Sequence, residues 1–144
     1  MNERLGAGWG AGAEEGNMRV GLFSWETLHS IPVGGVAVHV TELAAALERR
    51  GHEVHVFTRQ GHNQSHYNCV DGVHYHRCSF QLNRSFVDEV NDMCRSFVQN
   101  CFDVEAMVGP FDVVHAHDWM ASNAGVWLKE GRNRKFVLTM HSTE

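Results

Sequence analysis

Short apolar runs alternate with segments of helical periodicity along this chain, and that alternation restricts the folds open to it. MRVGLFS at 18–24, EVHVFT at 53–58, GVHYHRC at 72–78, FDVVHA at 111–116 and KFVLTM at 135–140 read as strands. Val36, Val40, Leu43, Ala44 and Leu47 recur at helical spacing, with Glu42, Glu48 and Arg49 on the other side, so 36–50 reads as a helix that Gly51 stops. A polar loop is expected over Gly61–Asn68. Ser85 opens a long helix with Asp88 as its capping-box partner, and Phe86, Val90, Met93, Phe97, Cys101 and Val104 form its buried stripe. Gly109-Pro110 ends that helix, and a third runs from Trp119 to Glu130 with Gly131 as its stop. Strand–helix–strand units cross over right-handedly, which predicts an α/β chain: a Rossmann-like, doubly wound parallel sheet covered on both faces.

The chain has 144 residues, enough for one core but not comfortably for two. Its net charge of −5 argues against a nucleic-acid binder, which would show a basic face. No apolar run approaches the roughly 20 residues of a membrane span. Residues 1–17 are rich in glycine and alanine and lack an apolar targeting core. They read as a disordered leader, or else Met18 is the natural start, and the domain covers 18–144. Cys94 and Cys101 fall on one helix face about 10 Å apart along the axis, beyond disulfide reach. With no C-x-x-C pair among the four cysteines, a reducing cytoplasmic location is expected.

In doubly wound sheets ligands bind beyond the carboxyl ends of the strands. The residues there are the 24–35 loop, Arg59, His115–Trp119 and His141 onward. In SIPVGG, the pair Gly34-Gly35 stands at the mouth of the first helix. Free N–H groups and the helix dipole attract an anion there, and missing Cβ atoms let a phosphate or sugar approach; an ordinary tight turn is the plainer reading. A dinucleotide site does not fit. G-x-G-x-x-G is absent, and the second strand ends in Thr58-Arg59-Gln60 rather than in an acidic residue.

His115-Ala-His117-Asp118-Trp119 admits two readings. The alternate imidazoles of His115 and His117 point the same way and could serve a metal-dependent hydrolase, with further ligands from elsewhere. Alternatively, His117 and Asp118 reach into a cleft and bind sugar hydroxyls. Asp118 also stands where the N-cap of the next helix belongs. His141, at the end of the fifth strand, joins these features on one edge. Eleven histidines do not by themselves indicate a metal protein: the spacing of His52, His55, His74 and His76 suggests surface positions on strands.

Together these segments resemble retaining glycosyltransferases of family 4 and the related glycogen and starch synthases. The resemblance rests on P-V-G-G-V, on the helix ending E-R-R-G-H-E-V-H-V-F-T-R, on F-D-V-V-H-A-H-D-W and on T-M-H-S, in order after residue 17. It implies the amino-terminal half of a GT-B fold. Carried over, Gly34 and Gly35 line the site of a nucleotide-sugar donor. His117, Asp118 and Trp119 shape the sugar and carbohydrate or lipid-linked acceptor pocket, and His141 is the catalytic-site histidine that contacts the transferred sugar. No metal or other cofactor is expected, because helix N-termini and basic side chains offset the leaving diphosphate's charge. The family's nucleotide-binding carboxyl-terminal domain, with its E-x7-E motif, is not within the 144 residues, so this segment alone is expected to be inactive. SIPVGG departs from the K-x-G-G of bacterial glycogen synthases, which leaves the acceptor open. Three classes therefore stand side by side: a glycosyltransferase domain, a hydrolase built on His115 and His117, and a Rossmann-like binding domain without catalysis.

Overall fold

The computed structural model describes residues 16–82, 85–132 and 134–141. The leader expected over 1–17 therefore lies almost wholly outside the described residues. The elements are β1 (Arg19–Ser24), α1 (Gly35–Arg49), β2 (Glu53–Arg59), β3 (Tyr67–Val70), β4 (Val73–Cys78), α2 (Phe86–Val108), β5 (Val113–His117), α3 (Trp119–Arg132) and β6 (Lys135–Thr139). They build a six-stranded sheet in the order β3-β4-β2-β1-β5-β6. Every pairing is parallel except β3 with β4. The Rossmann-like α/β architecture is as the sequence predicts, and its sheet is mixed at one edge.

Strand alternation divides the core. Val20, Leu22, Val54, Val56, Val73 and Tyr75 face α1, where Val40 and Ala44 meet them. Phe23, Phe57, Val114 and Ala116 face the other way, onto Met93, Phe97 and Cys101 of α2 and Leu128 of α3. Gly51 ends α1 as expected: it takes φ +96° and donates its N–H to Glu48 O at 2.9 Å.

Four expectations need correction. The stretch from Gly61 to Asn68 is not loop throughout, because Tyr67 opens a short hairpin strand that pairs with β4. Phe86 belongs to no buried stripe; it is 50% exposed in the first turn of α2, while Val90, Met93, Phe97, Cys101 and Val104 are buried. Gly131 does not stop α3, which runs on to Arg132. His55, His74 and His76 are not surface residues: all three are buried on the α2 side of the sheet. His55 Nδ1 lies 2.9 Å from His76 Nε2, and its Nε2 lies 2.8 Å from Glu53 Oε2. Tyr67 closes the group, its hydroxyl 2.7 Å from His74 Nδ1. Burial, then the neighbouring His55, His74 and His66, pushes His76 down to about 2; burial also lowers His55, against the pull of Glu53. Neutral imidazoles satisfy one another here, which is how three polar rings can lie in a core.

Candidate functional site at the carboxyl edge of the sheet

Ser24 pairs with His117 across β1 and β5, and His117 with Thr139 across β5 and β6. Three strands thus end at one level. The loop that leaves β1 there is fixed by its own polar side chains. Thr27 Oγ1 and Ser30 Oγ meet at 2.7 Å, Ser30 Oγ reaches Thr58 Oγ1 at 2.8 Å, and Leu28 N–H donates to Thr41 Oγ1 at 3.0 Å. Arg59, stacked 4.0 Å over the Trp25 ring, donates from Nε to Trp25 O at 2.7 Å. Burial lowers its guanidinium to about 10, so it remains a cation beside the loop at neutral pH.

The loop delivers Gly34 and Gly35 to the amino end of α1, both exposed. A Cβ on Gly35 would meet nothing within 4 Å, and one on Gly34 would come no closer than 4.0 Å, to Glu26. Gly34 is extended, with φ −160°, and Gly35 has no positive φ. The left-handed geometry that could have explained the pair is therefore absent, and packing within the described residues does not require glycine either. The helix end is also not entirely free. The buried Glu26 carboxylate accepts from Gly34 N–H at 3.1 Å and from Ala37 N–H at 3.0 Å. The first-turn N–H groups of Gly35 and Val36 have no partner among the described residues and remain for an incoming acceptor atom.

One turn into α1, His39 reaches the same edge. Its ring centroid lies 5.7 Å from that of His117 and 5.0 Å from that of His141. His117 Nδ1 is 3.3 Å from His141 Nε2. One ring nitrogen of each of the three histidines lies within 4.8 Å of the other two, so these residues could hold a metal ion. Sequence reasoning missed His39. His39 lies one turn beyond Gly35 on the helix that opens at this edge, and that spacing could have marked it. His115 stands beside His117, their ring centroids 4.1 Å apart, and its Nε2 lies 2.7 Å from Thr139 Oγ1. His117 is fully buried, and its Nε2 has no hydrogen-bond partner among the described residues. Burial, then His115, His141 and His39, pushes His117 down to about 3, so the ring is neutral at neutral pH.

Asp118 follows in a left-handed conformation, φ +67°. It is not the usual N-cap. Its Oδ1 accepts from the next residue's N–H, Trp119, at 2.9 Å, and its own N–H donates to Thr139 O at 2.8 Å. A buried aspartate held at positive φ is local strain of the kind that gathers at functional sites. Trp119 departs from the histidines. It packs on the α2 side, edge-on to Phe86 at 5.9 Å, and Phe86 in turn meets Trp25 at 5.6 Å. The structure thus brings His117 and His141 together with α1, which carries the glycines, and puts Trp119 in an aromatic wall behind the strand end.

The profile of the glycosyl transferase 4-like domain matches residues 34–144. The chain belongs to this family. An uncharacterised glycosyltransferase of Methanocaldococcus jannaschii is 33% identical over 127 residues, covering 88% of this chain and 32% of that protein. A D-inositol 3-phosphate glycosyltransferase of Jonesia denitrificans is 35% identical over 118 residues, covering 76% of this chain and 27% of that protein. This glycosyl transferase 4-like chain therefore spans about a third or less of the length of these relatives. Among solved structures, the sucrose-phosphate synthase of Thermosynechococcus elongatus superposes with a TM-score of 0.67 at 21% identity, over 86% of this chain and 33% of that one. The catalytic domain of Arabidopsis thaliana starch synthase IV gives 0.64 at 15% identity, over 88% and 34%. These likenesses place the fold in the GT-B class. None of the comparisons supports a hydrolase. No helix among the described residues is long and apolar enough to cross a membrane.

Proposed function

We propose that this chain is the acceptor-side domain of a retaining glycosyltransferase that uses a nucleotide-sugar donor. The observation that carries the reading is the exposed Gly34-Gly35 pair, which neither backbone conformation nor packing demands, at a helix end with two unpartnered N–H groups. Close approach of a ligand supplies the missing reason for glycine. Gly34 and Gly35 admit the donor's phosphate and sugar. His117, neutral and with Nε2 unpartnered, accepts a hydrogen bond from a sugar hydroxyl or donates one, depending on its tautomer. Asp118 fixes the strand end that aims His117, and Trp119 holds the wall behind it. His141 contacts the transferred sugar from across the site. Transfer needs no metal or other cofactor: helix N–H groups and basic side chains offset charge on the leaving diphosphate. A second, nucleotide-binding domain completes the cleft, and the acceptor is a carbohydrate or a lipid-linked sugar. Four free thiols, three of them buried, support placing the enzyme in the reducing cytoplasm.

The reading is tested by incubating the longer enzyme that contains this domain with nucleotide sugars and acceptors and assigning the product's anomer by NMR. Transfer with retained configuration is expected. Hydrolysis of the donor without transfer to any acceptor would contradict it.

A further inference from the structure

We propose that His39, His117 and His141 form a binding site for a divalent transition metal of the zinc class, lying across the mouth of the sugar site. The three rings come from α1, the end of β5 and the residue beyond β6, so the fold itself converges them. In a tetrahedral zinc site Zn–N bonds of about 2.0–2.1 Å put ligand nitrogens about 3.3–3.4 Å apart. His117 Nδ1 and His141 Nε2 already stand 3.3 Å apart. One ring nitrogen of each of the three residues lies within 4.8 Å of the other two, and the exposure of His39 and His141 leaves both rings free to close on an ion. His117 has coordinating capacity to give: one nitrogen meets another imidazole, and the other is buried without a partner among the described residues. Imidazole nitrogens select zinc, nickel or copper over magnesium or calcium, which take oxygen ligands. Three protein ligands leave a fourth position open. The glycosyltransferase reading treats His117 and His141 as sugar contacts, and on that reading a bound ion excludes the sugar and inhibits transfer. The site itself does not depend on it.

The experiment is calorimetric titration of the tag-free chain with ZnCl2, with visible absorption of the Co2+-loaded protein as a second readout. One Zn2+ per chain is expected, with an intense tetrahedral Co2+ spectrum and no binding of Mg2+. His39→Ala and His141→Ala, both exposed positions that leave the fold intact by circular dichroism, are each expected to weaken binding roughly 100-fold or more. His52→Ala, away from the cluster, is expected to change nothing. Absence of stoichiometric binding, or binding unaltered by His39→Ala and His141→Ala, overturns the site. In the longer enzyme, added Zn2+ is expected to suppress transfer, and EDTA to restore it. Full transfer by Zn2+-loaded enzyme would overturn the sugar placement while leaving the metal site standing.

Discussion

Glu26 holds Ala37: its Oε1 accepts the Ala37 N–H at 3.0 Å while its Oε2 takes that of Gly34 at 3.1 Å. A carboxylate thus sits on the end of α1 where a helix dipole favours negative charge, and it closes the loop back onto the helix. Both bonds are charge-assisted and Glu26 is buried. Glu26→Ala is expected to cost about 2–3 kcal/mol of unfolding free energy by urea denaturation. On the proposed donor placement, the same variant in the longer enzyme removes a negative charge beside the phosphates, so the donor KM is expected to fall or hold, not rise.

Asp118 is held at φ +67° with its Oδ1 on Trp119 N–H. Asparagine tolerates that backbone and can accept the same bond, so Asp118→Asn is expected to change stability by less than about 1 kcal/mol. Asp118→Val loses the bond and opposes the left-handed backbone, for about 2–3 kcal/mol. Denaturation of the two variants side by side checks the difference.

Acid is expected to unfold this domain through its histidines. Burial keeps His55, His76 and His117 neutral in the fold, with His76 near 2 and His117 near 3. In the unfolded chain they take up protons near pH 6.5. Below that pH the unfolded state binds more protons, so stability falls as pH falls and is fully present above it. Unfolding free energy is expected to be flat above about pH 7 and to drop by up to about 1.4 kcal/mol per pH unit for each of His76 and His117 between about pH 6 and 4.5, with His55 adding in the same direction. A flat profile through that window, measured by urea denaturation with EDTA present, would show that the three rings are not buried neutral.

On the proposed function the nucleotide is held outside these 144 residues, which span 32% of the Methanocaldococcus relative and 27% of the Jonesia one, so on their own they are expected to transfer no sugar. Turnover of any nucleotide sugar by the purified chain, followed by release of the diphosphate, would overturn that division of labour.

Periodicity made β1, α1, β2 and the buried stripe of α2 legible, because each buries one continuous apolar row. It failed where the partner surface lies elsewhere in the chain. His74 and His76 alternate with Val73 and Tyr75, a pattern that reads as one wet face; in the fold, Tyr67 of a four-residue strand and the rings of β2 cover that face. That strand, YNCV, has too little apolar signal to be seen before its partner is known. Gly131 marked a possible stop, but the helix continues through it. At the candidate site, the positions of His117, Asp118 and His141 were legible because all lie at or just beyond strand ends. Glu26 was not, since it acts through a tertiary approach that no local spacing encodes, and His39 carried only its one-turn spacing from Gly35.

The most direct measurement is sugar transfer by the longer enzyme carrying Gly35→Val, alongside its circular dichroism and thermal melting. A Cβ on Gly35 meets nothing within 4 Å, so the fold and the melting temperature should hold. The same branched side chain would stand between an incoming phosphate and the free N–H groups of Gly35 and Val36. Loss of one or two such contacts typically costs about 10²–10³ in rate, or about 3–4 kcal/mol. The expected result is a folded enzyme with transfer reduced by about that factor. Near-normal transfer by a folded Gly35→Val enzyme would contradict the placement of the donor against this helix.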